Sequence, residues 1–243
     1  MGELSVRAMK LRRRALPLLA LSAFAAPARA DTIDLSLACD TTLAPAMRKV
    51  AAAYNIRTGV HVFVFPTGPG LILPQLQRDI QNDIVVTQTS ILDQAAQDGI
   101  VARPVSAQWR NPIVIGGLRA AAAIDGVFAA TDPSPAADFD GPELLQRLSV
   151  RPTRVLGAVD TDEVAFLLTT GAAQAGLLHS TDLNADGRLE LIQRVPAEVQ
   201  APLRYAASVT RLARRPNPEG FVAFLAGREA AALLAEAGLE PAS

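Results

Sequence analysis

The feature that most constrains this chain is a threefold alternation of strand and helix signals in its first hundred residues. Thr32 to Ala38 alternates apolar Ile33, Leu35 and Leu37 with polar neighbours, the period of a strand. Thr41 and Thr42 then offer capping hydroxyls, Pro45 suits a first helical turn, and Leu43, Met47, Val50 and Tyr54 share one helical face up to Gly59. Val60 to Phe65 is rich in β-branched and aromatic residues and reads as a second strand. Thr67-Gly68-Pro69-Gly70 breaks it, and Ile72, Leu76 and Ile80 mark a second helix. Asp83 to Thr87 reads as a third strand, followed by a helix capped at Ser90 that stops before Gly99. Repeated strand-then-helix units build an open, largely parallel sheet covered by helices.

The same theme continues less regularly. Strands are expected at Ile113 to Ile115, Val127 to Ala130, Ala175 to His179, Leu189 to Ile192 and Leu203 to Val209. Helices are expected at Pro142 to Leu148, Asp162 to Thr170, Pro218 to Leu225 (Asn217 as cap) and Arg228 to Ala237. There is no internal repeat.

The amino terminus has a different character. Lys10 and Arg12 to Arg14 precede an apolar run from Ala15 to Ala26 and the small-residue site Ala28-Arg29-Ala30. That order is the layout of a secretory signal peptide, and the apolar run is well short of the roughly 20 residues a spanning helix needs. Residues 1–30 are therefore expected to be removed, leaving a periplasmic protein that starts at Asp31. The leader holds six of the 23 basic residues and one of the 24 acidic ones, so 17 basic and 23 acidic residues would remain, a net charge of −6. No basic stripe is left for a phosphate backbone, so nucleic acid is not an expected partner. Cys39 is the sole cysteine, which excludes an intramolecular disulfide and any multi-cysteine metal site.

Several segments together resemble the periplasmic molybdate-binding component of ABC importers, a type II solute-binding protein. They are Leu43 to Tyr54 (LAPAMRKVAAAY), Asn82 to Thr87 (NDIVVT), Asn111 to Ile115 (NPIVI), Thr131-Asp132-Pro133 and Thr169 to Gly176 (TTGAAQAG). Ser180-Thr181-Asp182, Val195-Pro196, Tyr205-Ala206-Ala207 and Asn217 to Leu239 continue the match in the same order. The resemblance implies an α/β fold of two lobes, each a mostly parallel sheet flanked by helices, joined by a two-strand hinge. Lobe I would hold residues 31–112 and 205–243, and lobe II residues 113–204. It also implies a small solute between the lobes, an inner-membrane ABC permease as partner, a monomer, and no cofactor.

A tetrahedral oxyanion needs hydrogen-bond donors, and helix N-termini supply them as unpaired backbone N–H groups. Three strand-to-helix turns qualify: Thr41-Thr42, Thr67 to Gly70, and Asp160 to Asp162. By the resemblance, Thr42 falls where the family has a ligand-binding serine, Ala137 and Thr161 where it uses backbone donors, and His179 where it has a tyrosine. At the second turn Pro69 lacks a hydroxyl and an N–H, leaving Thr67 or Gly68 as substitutes. Thr41, Thr42, Thr67, Gly68, Ala137, Thr161 and His179 are thus the expected ligand contacts. Asp40, Asp160 and Asp162 lie beside these positions, and carboxylates facing the cleft would favour a cation or an amine-bearing solute instead.

Other motifs are set aside. Asp182 to Leu189 follows the start of a calcium loop but has Gln193 where a bidentate glutamate belongs, and is read as an exposed turn. His179, Ser180 and Asp182 sit too close in sequence to assemble a catalytic triad, and no nucleophile elbow is present. The expectation is a binding protein rather than an enzyme. It would take an oxyanion of the molybdate or tungstate kind, with another organic or cationic solute, or a non-transport sensory module, as alternatives.

Overall fold

The computed structural model describes residues 34–78, 81–102, 109–119, 122–133 and 138–242. The expected leader and Ala137 lie outside the described residues. The chain begins with β1 (Asp34–Asp40), a 3-10 turn (Thr41–Leu43), α1 (Ala44–Thr58), β2 (His61–Thr67), α2 (Pro69–Gln77), β3 (Ile84–Gln88) and α3 (Thr89–Gln97). It continues through β4 (Trp109–Asn111), β5 (Ile113–Leu118), β6 (Val127–Thr131), α4 (Gly141–Arg147), β7 (Arg154–Ala158), α5 (Thr161–Thr169), β8 (Ala175–His179), α6 (Ser180–Ala185) and β9 (Leu189–Arg194). It closes with β10 (Leu203–Val209), α7 (Pro218–Leu225), α8 (Arg228–Glu236) and β11 (Glu240–Pro241).

These strands form two sheets flanked by helices, with orders β11-β4-β10-β3-β1-β2 and β7-β6-β8-β5-β9. Both sheets are mixed, with most strands of each running in one direction. In the first, β1 pairs parallel with β2 and β3, while β10 joins antiparallel to β3 and β4. In the second, β6 pairs parallel with β7 and β8, and β5 runs antiparallel to β8 and β9. The antiparallel pairs arise where the chain passes between sheets, because a strand arriving from the other sheet enters from the opposite end. Only Pro112 separates β4 in the first sheet from β5 in the second, and the chain returns through β10.

Each sheet is buried by its own apolar set. In the first, α1 lays Met47, Val50 and Tyr54 on the sheet, and Tyr54 packs edge-on to Phe221 of α7 at 5.2 Å between ring centres. Gly59 ends α1 in a left-handed conformation (φ 76°), with its N–H returning to Asn55 O, a backbone shape that strains other residues. In the second sheet Phe128, Ile115 and Leu177 face α4, while Val114, Ala129 and Leu178 face Val164 and Leu168 of α5. Gly176 on β8 lets α5 approach: a Cβ there would lie 2.7 Å from Val164 Cγ1 and 2.9 Å from Ala129 O. Each fully buried large side chain, such as Phe128 or Phe221, contributes about 1.5–3 kcal/mol. Among the described residues no helix is long and apolar enough to cross a membrane.

The strands β4, β7 and β11 and the helix α6 escaped the sequence reading. Strand β7 has an exposed, irregular pattern because it is an edge strand, so no alternation marks it. Asp182, read as part of an exposed turn, sits on α6 and is buried, 5% exposed.

The end of the first sheet opposite its helix-bearing turns is pinned by Asp83. Its carboxylate accepts from Ser36 N and Ser36 Oγ at 2.9 Å each, and from the N–H groups of Arg214 and Arg215 at 3.1 and 3.3 Å. Burial alone would raise its pKa, but these hydrogen bonds outweigh burial and hold it below the usual carboxylate range. We expect Asp83→Ala to lose about 2–4 kcal/mol in urea denaturation at pH 7, since several buried donors lose their acceptor. Because the folded pKa is lowered, that contribution is complete above the ordinary carboxylate pKa and fades as pH falls through the folded value. The gap between wild type and variant should therefore close in acid.

Candidate functional site

The parallel strands of both sheets end at the same place, so their loops and following helices face one another there. Asp40 ends β1, Thr67 ends β2, Thr87 and Gln88 end β3, and His179 ends β8. Open α/β sheets bind ligands at such carboxyl ends, where short turns can point side chains and helix N-termini at one spot.

A cavity of about 240 Å³ lies at this junction, lined by Thr41, Thr42, Gly68, Leu71, Asp138, Asp160, Thr161 and Asp162. Four of the expected contacts, Thr41, Thr42, Gly68 and Thr161, thus meet at one cavity. Thr67 stands beside it, with its hydroxyl donating to Gln75 Oε1 at 3.2 Å. His179 is not in the lining. Its side chain is fully buried behind Asp138, with Nε2 3.0 Å from Asp138 Oδ2 and its ring edge-on to Phe139. Burial lowers the imidazole pKa, but the carboxylates of Asp138, Asp182 and Asp40 outweigh it and the net shift is upward.

Thr42 was expected to cap a helix or meet a ligand. Its hydroxyl caps no helix: it donates to Asp182 Oδ1 at 2.6 Å and lies 2.7 Å from Thr181 Oγ1. The 3-10 turn and α1 carry no side-chain cap. Asp182 Oδ2 accepts the His179 backbone N–H at 3.1 Å, which closes a capping box at the start of α6. Asn111 Nδ2 donates to Thr181 Oγ1 at 2.9 Å, and Gln88 Nε2 donates to Asp138 Oδ1 at 2.6 Å. Thr42, Gln88 and Asn111 belong to the first sheet and its turns; Asp138, Thr181 and Asp182 belong to the second. A buried hydrogen-bonded path therefore crosses between the sheets.

Charge in the junction is predominantly negative. Asp40 is fully buried, with Oδ1 accepting from Thr87 Oγ1 at 2.6 Å and Oδ2 without a partner. Burial, reinforced by Asp138, pushes its pKa well up. Burial also raises that of Asp182, against the opposing pull of His179 and its hydrogen-bond donors. Asp162 is pushed up to about 6, by burial first and then by the carboxylates of Asp182 and Asp160. Asp160 caps α5 conventionally, accepting from Glu163 N at 2.9 Å. Among the described residues no group of three or more His, Cys, Asp and Glu side chains could hold a metal ion.

A family model for bacterial extracellular solute-binding proteins matches residues 35–139 and 118–240. The chain belongs to that family. No curated protein sequence matches it. The fold is similar to that of the periplasmic molybdate-binding protein of Azotobacter vinelandii (TM-score 0.69, 14% identity, covering 86% of this chain and 100% of that one). It is also similar to a phosphate ABC transporter substrate-binding protein with bound phosphate from Clostridium perfringens (TM-score 0.62, 10% identity, 86% and 100%). A third likeness is to iron-bound HitA from Pseudomonas aeruginosa (TM-score 0.58, 15% identity, 86% of each chain). The solutes named for these solute-binding proteins carry charges of both signs, so the shared fold leaves the choice to the local side chains.

Asp138 and Asp182 are the junction residues that sequence reasoning missed. The spacing from His179 to Asp182 is that of a capping box, and Asp138 adjoins Ala137; both signals were available but nonspecific. For the raised Asp162, the sign of the linkage is the reverse of Asp83: stability is complete below the unfolded pKa and is lost as pH rises through about 6. Asp162→Asn should flatten this part of the pH–stability curve between pH 4 and 7. At pH 8 it should raise stability by on the order of 1 kcal/mol, discounted for partial solvent contact. Thermal unfolding across that pH range checks it.

Proposed function

We propose that this solute-binding protein is exported through residues 1–30 and serves an inner-membrane ABC importer. The two sheets would act as hinged lobes (31–112 with 205–243, and 113–204) that close on a small solute in the 240 Å³ cavity. The solute we favour is a small organic molecule bearing a protonated amine. One observation carries this choice: the described lining of the cavity holds three carboxyl groups, Asp138, Asp160 and Asp162, and no Lys, Arg or His. Leu71 in the same lining gives an apolar wall suited to a carbon skeleton.

A second reading, an oxyanion such as molybdate or tungstate, draws on a different observation. The turns at Thr41-Thr42, Gly68 and Thr161 all reach the cavity, as donors for such an ion would. Magnitudes decide between the two. A helix N-terminus stabilises an anion by about 0.3–1 kcal/mol, up to ~2 when partly buried. Two like unit charges about 4 Å apart repel by about 4 kcal/mol at an effective dielectric constant near 20, and a dianion doubles this. With three carboxyl groups in the wall, repulsion outweighs the helix ends.

Titration calorimetry with a panel of mono- and diamines, molybdate, sulfate and phosphate, at pH 5 and pH 8, tests this reading. An amine should bind more tightly at pH 8, where Asp162 is ionised, and Asp162→Asn should weaken that binding about tenfold. Oxyanion binding that strengthens toward pH 5, with no response to any amine, would replace this reading by the second. Mass spectrometry of protein recovered from the periplasm should find a chain starting at Asp31.

A further inference from the structure

Thr42, expected to offer its hydroxyl to a solute, instead gives it to a side chain of the protein itself. Asp182 Oδ1 takes the Thr42 hydroxyl at 2.6 Å, and Oδ2 takes the His179 N–H at 3.1 Å. Asp182 is 5% exposed and does not line the cavity, whereas Thr42 and Thr161 do. The carboxyl group thus sits behind the Thr42 hydroxyl and takes its proton away from the cavity. Thr42 is engaged a second time, by Thr181, which is itself held by Asn111.

We infer that Asp182 is the specificity-determining residue of the cleft: an internal acceptor that consumes the hydroxyl donor of Thr42, leaving a cavity that presents carboxyl groups to its solute. The inference deepens the amine reading above and rests on it. A hydroxyl can accept as well as donate, but each has a single proton to give. A Thr42 proton committed to Asp182 is not available to an anion. The oxygen lone pairs that remain on the cavity side suit a donor such as an ammonium group.

The test is a double-mutant cycle read by binding of inorganic sulfate and molybdate at pH 5.5, near which Asp162 titrates. Wild type should show no measurable heat. Asp182→Ala releases the Thr42 hydroxyl and should gain binding, with affinity at least tenfold above the detection limit. The gain should vanish in Asp182→Ala/Thr42→Val, because the freed hydroxyl is what the anion uses. Circular dichroism establishes that each variant is folded. Where the alanine variant does not fold, Asp182→Asn keeps the side-chain volume and an acceptor for the His179 N–H; it should show a smaller gain, again abolished by Thr42→Val.

A folded Asp182 variant that binds neither ion, or a gain that survives Thr42→Val, would overturn the inference while leaving amine binding by the wild type intact. Sulfate or molybdate binding by the wild type would instead overturn the amine reading on which it rests.

Discussion

The hydrogen bond from Thr42 to Asp182 joins the end of one sheet to the helix that follows a strand of the other, and the geometry of the junction is arranged around it. Burying a carboxyl group costs several kcal/mol unless its oxygens are satisfied. Asp182 meets that condition by drawing donors from two elements at once, the Thr42 hydroxyl and the His179 N–H. Each such hydrogen bond contributes about 0.5–1.5 kcal/mol. Their sum is conditional on the two sheets standing face to face, because Thr42 comes from one and Asp182 from the other. Closure and charge burial are therefore the same event in this molecule.

Around that contact the remaining carboxyl groups find different solutions. Asp138 is held between Gln88 of the first sheet and His179 of the second. Asp40 leans on Thr87 and leaves one oxygen without a partner. Asp160 spends its charge on the start of α5, where the helix dipole welcomes it. Asp162 has no such outlet and its pKa rises. The wall of the cavity is thus acidic because its aspartates are anchored by roles in the fold, and a solute must match a charge already fixed.

Much of the fold was legible because period and punctuation agree at each element. Leu203 to Val209 and Pro218 to Leu225 coincide with β10 and α7, and the first three strand–helix units fall within two residues of expectation wherever they are described. The α/β class follows from those signals, whereas the division into two lobes was an expectation from the family resemblance. Which strands run against the rest, such as β10 and β5, was not legible, because strand direction depends on which sheet a strand joins, a long-range property that local pattern does not carry. The site was legible at its backbone: Thr41, Thr42, Gly68 and Thr161 meet at one cavity. Its electrostatics were not. Whether an aspartate faces a cleft, caps a helix or is buried behind a threonine depends on rotamers and partners tens of residues away, as the separation of Thr42 and Asp182 illustrates.

Identifying what the protein carries when recovered from its own cell envelope would test the central claim, that the junction is built for a positively charged solute, most directly. Native mass spectrometry of that protein, paired with elemental analysis, should find a small nitrogen-containing cation at one per chain and no stoichiometric molybdenum, tungsten or phosphorus. Any of those three elements at one per chain would contradict the account.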